Sequence, residues 1–319
     1  MVLGNSDLPQ QCAVGLRGPQ CEVRVLLHGL RAPCDVTGRH MIACASPFTI
    51  GIGLDAQSSL EVADASSLTL KFFEHAGDQR LLAEIELHLS TSVAAGPQEL
   101  FLFHVGSVRN YCLSKPRLWA HYLFLAYLRS RGTKKPGEIP MVARGVHAGI
   151  VCFICPRPVV LVSVADREAG NMFPMNLMGA VGEDYFAFSL NTTRQASPLV
   201  QRVGRVALSD LPFDQSDRAR ELRGNHKRES IRWNDLQFPT RTSAAFGIPV
   251  PDFALRVREM EIEAVRRLGS HTVFVARIVR EERCSEGPQF FMIHGLYQAW
   301  RLRHRPDLSE LPTDLRPAC

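Results

Sequence analysis

The sequence predicts a mainly β protein: a β-rich block ending in a helix, then a second block whose strands close into a small barrel with few helices. Three observations carry this. Apolar and polar residues alternate at strand period in run after run. Helical spacing is confined to a few segments. The runs are joined by turns rich in Gly, Pro and Asp. With 319 residues the chain is long enough for two domains. A composition 45% hydrophobic and 22% charged argues against extensive disorder.

In the first block "CEVRVLLHG", "LTLKFFEH", "LLAEIELHLS" and "ELFLFHVGS" alternate as half-buried strands, and "HAGDQR" reads as a hairpin turn. "PRLWAHYLFLAYLRSRG", from Pro116, has helical spacing and ends in Arg, Arg and Gly, a helix stop. Charge, Gly and Pro then cluster in "RSRGTKKPGEIP", Arg129 to Pro140, dividing the chain into 1–135, 140–305 and a tail from 306. The second block offers six strands: "VVLVSVAD", "DYFAFSLN", "RVALSDLP", "REMEIEAVRRLG", "HTVFVARIVREERC" and "FFMIHGLYQAWR". Short helices are expected at "ASPLVQRVG" and before "CPRP", and a longer one from Ser216 through "SDRARELRGNHKRESIRWNDL". Closure of six antiparallel strands removes exposed edges. No convincing internal repeat is visible, although two adjacent β-rich blocks leave a duplicated barrel open.

A net charge of +5 suits small anions as readily as nucleic acid, and no basic, aromatic surface of the kind nucleic acid needs is evident. Nine irregularly spaced cysteines read as reduced thiols. "MVLGNSDLPQQ" lacks the features of a secretory leader, and the most apolar run, Val146 to Ala165, is interrupted by two prolines and Arg157. A cytoplasmic protein without a membrane span is expected.

Chemistry concentrates in two stretches. In "CPRPVVLVSVADREAGNMFPMNLMG", Asn171, Pro174 and Asn176 interrupt what otherwise reads as a buried hairpin. One reading is a bulged strand whose side chains cap backbone groups. The other is an irregular strand that offers donors and acceptors to a planar heterocycle such as a flavin. In "SLNTTRQASPLVQRVG" a strand ends in Asn191, Thr192, Thr193 and Arg194, followed by Gln195 and a helix start at Ala196 or Ser197. Hydroxyls, a guanidinium and free helix amides form an oxyanion site; the plain alternative is a helix capped by Ser197. Cys152 and Cys155 form "CFIC" within an apolar run, where buried thiols are expected in preference to a metal or redox pair. The basic stretch Arg218 to Arg232 reads as a solvated face or as a lid over phosphates.

The ordered set from "PRPVVLVSVAD" through "NLMG", "SLNTTRQASPLVQRVG" and "GSHTVF" to "HGLY" resembles the flavin reductase-like family of FMN-binding split barrels, over roughly Gly145 to Arg303. The resemblance implies FMN as cofactor and NADH or NADPH as hydride donor. Met172 to Gly179, with Met175, Asn176, Leu177 and Met178, would face the flavin ring. Asn191, Thr192, Thr193, Arg194, Gln195 and Ser197 would surround the ribityl phosphate. His271 would stand near flavin and nicotinamide; on its own it reads as a satisfied histidine at a strand end. His294 to Tyr297 would border the pocket from the last strand. Asn176 replaces a hydroxyl residue, and Thr193 stands where many relatives have Lys.

The resemblance further implies a homodimer and a monooxygenase that receives reduced flavin. The absence of a GxGxxG motif fits a nicotinamide bound in the flavin cleft. The alternatives are a non-catalytic flavin or electron carrier whose first block docks a partner, and a pocket that has lost FMN.

Overall fold

The computed structural model describes residues 11–17, 22–65, 67–75, 79–112, 114–131, 141–167, 169–304 and 313–314. The expected boundary between 135 and 140 lies outside them, as does most of the tail and part of the turn at 75–80. The first half runs β1 (Gln11–Leu16), β2 (Val23–His28), β3 (Cys34–Asp35), β4 (His40–Ala45), β5 (Phe48–Leu54), α1 (Ala56–Asp64), β6 (Leu68–Glu74), β7 (Leu81–Ala95), β8 (Gln98–Asn110) and α2 (Lys115–Arg131). The second half begins with α3 (Ala143–Cys152), β9 (Arg157–Pro158), β10 (Val160–Ala165), β11 (Gly170–Met175), β12 (Met178–Ala180), β13 (Tyr185–Asn191), α4 (Ala196–Val203) and β14 (Arg205–Asp210). It continues with α5 (Ser216–Leu222), β15 (Thr240–Thr242), β16 (Pro249–Pro251), β17 (Arg256–Leu268), β18 (His271–Arg283), β19 (Gln289–His294), α6 (Gly295–His304) and β20 (Thr313–Asp314). The fold is mainly β.

Each half builds a seven-stranded antiparallel sheet: β3-β2-β6-β7-β8-β5-β4 in the first, β11-β10-β14-β17-β18-β13-β12 in the second. These orders are the same once β10 stands for β2, β11 for β3, β12 for β4, β13 for β5, β14 for β6, β17 for β7 and β18 for β8. A helix, α1 or α4, intervenes at the same step. The β7–β8 and β17–β18 hairpins turn on glycines of positive φ, Gly96 (59°) and Gly269 (47°). Counted back from these turns, a bulge falls at the same place in each, between Leu89 and Thr91 and between Ile262 and Ala264. The repeat that the sequence does not reveal is present in the fold.

The second sheet carries the candidate site. Its edge strands, β11 and β12, are consecutive in the chain and joined only by Asn176 and Leu177. Three residue steps span at most about 11 Å, so the two edges must lie close together. The sheet therefore curls around one apolar cluster that includes Val162, Phe173, Phe188, Leu208, Met260 and Phe274. It remains open along the β11/β12 seam. The split barrel that the resemblance implies is thus observed, with seven strands where alternation marked six and with a seam in place of full closure.

A smaller sheet, β20-β1-β19-β9, ties the two ends of the described chain together, with β1 antiparallel to β19. Two other expectations are corrected. "FFMIHGLYQAWR" is a strand only to His294; α6 follows, burying Tyr297, Trp300 and Arg301 at helical spacing that the aromatic content masks. The helix expected from Ser216 stops at Leu222 and continues as 3-10 turns, Arg223–Lys227 and Trp233–Asp235. Gly224 weakens the helix there, and Asn225 donates its side-chain amide to the Met172 carbonyl at 2.9 Å. No described helix is long and apolar enough to cross a membrane.

Where β14, β17 and β18 meet, the buried Asp210 carboxylate pairs with Arg256 (2.7 Å) and Arg258 (3.1 Å). Removing it takes the nearer carboxylate from Arg256 and a chelating one from the buried Arg258, leaving Glu281, at 3.5 and 2.9 Å, as their remaining partner among the described residues. Asp210→Ala is expected to lower stability by about 3–5 kcal/mol, read as a fall in the urea midpoint.

Candidate functional site

The seam is built from side chains that satisfy backbone elsewhere. Pro174 has no N–H to donate, and β11 is an edge strand, the place where a sheet tolerates proline. Its carbonyl accepts from His226 Nε2 at 2.8 Å. Asn171 is fully buried on the same strand; its amide donates to the carbonyls of Asn225 (3.0 Å) and Arg228 (2.8 Å). That side chain ties β11 to the 3-10 turn at 223–227. Its Oδ1 is buried without a partner among the described residues. Met175 and Met178 pack into the barrel core on either side of the seam. Between them, Asn176 donates to Met292 Sδ at 2.9 Å, and the Leu177 carbonyl accepts from Ser189 N at 2.9 Å.

At the end of β13, Asn191 lies opposite His271, the first residue of β18. Asn191 Oδ1 accepts from both the N–H and the hydroxyl of Thr193, at 2.8 Å each, and so shapes the turn. Thr192 bonds the Ser270 carbonyl through N–H (3.1 Å) and hydroxyl (3.2 Å). Then α4 begins, with Gln195 at the N-cap position and no side chain capping it. Ser197 is buried in the first turn and does not cap the helix, which corrects that expectation. No acidic residue occupies the first turn. Among the described residues no ion pair engages the half-buried Arg194.

His226 connects the two stretches. It lies over the Phe173 ring at 4.7 Å. Burial chiefly, with the positive charges of Arg194 and Arg223, lowers its pKa to about 4. Arg194 and Arg223 thus act on the same point, beside the backbone of Pro174.

His271 is buried, and its Nδ1 lies 2.9 Å from Ser270 Oγ and 3.4 Å from Ala45 N. A backbone N–H can only donate, so Nδ1 accepts and the proton sits on Nε2. Burial lowers this pKa to about 4 as well. At neutral pH His271 is an N–H donor without charge.

The first half supplies part of this setting. Ser46 N donates to Ser270 Oγ (3.0 Å), Ser270 N donates to the Ser46 carbonyl (2.9 Å), and Cys44 Sγ donates to the Leu268 carbonyl (2.8 Å). Arg157, from the Pro-Arg-Pro stretch, reaches the His40 carbonyl at 2.7 Å. Sequence reasoning missed Cys44 to Ser46, Asn225 and His226, since no local pattern marks them. Cys152 and Cys155 are buried, and burial pushes the Cys152 thiol up to about 12. An open depression of about 200 Å³ lined by Arg24, His28, Phe73 and Glu74 lies on the first sheet, away from all of these residues.

Residues 153–301 match the model of the flavin reductase like domain family. No curated protein matches the sequence. Among solved structures, an FMN-binding protein from Thermus thermophilus with bound p-hydroxybenzaldehyde is 22% identical, with 48% of this chain and 81% of that one covered and a TM-score of 0.37. An NADH:FAD oxidoreductase of Streptomyces globisporus C-1027 in complex with NAD and FAD fragments is 18% identical over 50% of this chain and 93% of its own, at TM-score 0.43. The styrene monooxygenase flavin reductase of Pseudomonas putida S12 is 20% identical over 44% and 90%, at TM-score 0.37.

Because His226 and His271 have pKa values near 4 when folded and ordinary values near 6.5 when unfolded, the unfolded chain binds more protons between those limits. Their contribution is present above about pH 6.5 and is lost as pH falls towards 4. Urea midpoints measured from pH 7 to pH 4.5 should fall, and a His226→Gln variant should show a shallower fall than the parent.

Proposed function

We propose, on the premise that residues 153–301 are a flavin reductase like domain, that the chain is an oxidoreductase that reduces FMN with NADH or NADPH. The observation that carries the reading is the start of α4: uncapped, free of carboxylates in its first turn and preceded by Thr192, Thr193 and Arg194. That donor set fits a phosphate monoester.

The flavin supplies a ring that accepts hydride from the nicotinamide. The protein supplies position and polarity. Arg194 and the helix start hold the phosphate, with Arg223 adding positive charge nearby. The seam residues Asn176 and Leu177, pinned by Met292 and Ser189, offer an ordered backbone edge to the ring. His271, neutral and protonated on Nε2, supports a developing anion by donating a hydrogen bond. Asn171 holds β11 against the turn at 225–228 and acts on the ring through that strand. Delivery of reduced flavin to a separate monooxygenase is part of this reading.

Anaerobic absorbance spectra of the protein with FMN, before and after NADH and then NADPH, test the proposal. Bleaching of the flavin band at roughly 1–1000 per second is expected. Flavin that binds and stays yellow would make the protein a carrier. Arg194→Ala should weaken FMN binding by about 1.5–3 kcal/mol, roughly 10- to 150-fold; unchanged affinity would remove the phosphate assignment.

A further inference from the structure

We propose that the first repeat fills the place of a second subunit, so that the chain is a monomer with one complete ligand site, built where its own two repeats meet. The ligand part of this inference rests on the flavin reading above.

The contacts between the repeats are reciprocal, as across a two-fold interface, where a patch on one partner meets its own counterpart on the other. Ser189 on β13 donates to the Ile42 carbonyl at 3.1 Å. At the matching point of β5, Gly53 lies so close to the second repeat that an added Cβ would stand 2.7 Å from the Ala180 carbonyl. Ala180 follows Met178 in β12 as Ile42 follows His40 in β4, and Met178 and His40 pair with matching strand residues, Phe188 and Ile52. The hairpin tips repeat the pattern. Gly269 and Ser270 dock against Ser46 and Pro47, in the turn between β4 and β5. Gly96 packs on Tyr185 and Gln98 on Gly182, at the turn between β12 and β13. One apolar cluster draws from both repeats, with Met41, Ala43, Leu100 and Leu102 against Val181, Ala187, Val273 and Val275. A surface of this kind on a single repeat would pair with a second copy of the chain; here it is used up internally.

The two equivalent ligand positions have diverged. Opposite Asn191 stands His271; the position of His271 in the first repeat is Gln98, the residue that follows the same glycine turn. Asp55, one residue beyond the last β5–β8 pair, Leu54 with Glu99, takes the place of Asn191. Its carboxylate accepts from Ser58 N at 2.8 Å and caps α1. A helix start already holding a carboxylate repels phosphate. In the second repeat the helix start is uncapped, and the histidine beside it accepts a bond from Ala45 of the first repeat. The first repeat thus positions His271 and leaves its own ligand position closed.

Light scattering of the purified full chain, combined with FMN titration, tests this. The expected result is a mass of 35.6 kDa at all concentrations and one FMN per chain. Twice that mass at micromolar concentration would overturn the self-contained site. Two FMN per chain would overturn the single site. If no FMN binds at all, the flavin reading fails, and the mass alone decides whether the first repeat stands in for a subunit.

Discussion

Everything in the molecule depends on β8 and β18 having no solvent face along their first turns of sheet. On β8, Phe101 and Phe103 point into their own barrel while Leu100 and Leu102 join the cluster between the repeats. On β18, Phe274 and Ala276 point inward while Val273 and Val275 face the same shared cluster. Strand period two makes these assignments unavoidable once one face is fixed. A single repeat would expose a contiguous apolar strip of the kind soluble monomers rarely leave uncovered. The second repeat covers it, and small residues let the backbones meet. An added Cβ on Gly179 would stand 3.1 Å from the His40 carbonyl.

That constraint reaches the candidate site through short, stiff connections. His271 opens the strand whose next residues bury themselves between the repeats, so any slip of that interface moves its ring. Its neighbour Ser270 is held from both sides, by Thr192 of its own repeat and by Ser46 of the other. Groups placed on strand ends and locked by such bonds keep their geometry better than groups on free loops. The seam is treated likewise, with Asn176 and Leu177 fixed at both of their neighbours.

Much of both sheets was legible. β2, β6, β10, β13, β14 and β18 fall within runs whose alternation or apolar content marks a strand, β7, β8 and β17 overlap such runs, and Gly204 stops α4 where a left-handed residue is needed, at φ 70°. β5 was not legible, because Gly51 and Gly53 lower strand propensity for the sake of close contact with Met41, Leu100 and Val181. The duplication left no repeat visible in the sequence because matching positions keep shape class but change identity, as in Leu100 and Val273. A long insertion containing α5, β15 and β16 also separates β14 from β17, where β6 and β7 are joined by a short turn. At the site, the residue types from Asn171 to Ser197 could be selected from their pattern. The bond partners of Asn171 could not, since they lie more than fifty positions away.

Covalent linkage of the repeats has a consequence for how such a protein can change. In an assembly of identical copies every substitution appears on both sides of the axis, so a side chain that helps one position must be tolerated at its mirror image. Here Gln98 and His271, or Gly53 and Ser189, occupy mirrored places with different chemistry. One repeat is free to change as support while the other keeps its own side chains at the candidate site, and a single mutation falls in one repeat alone.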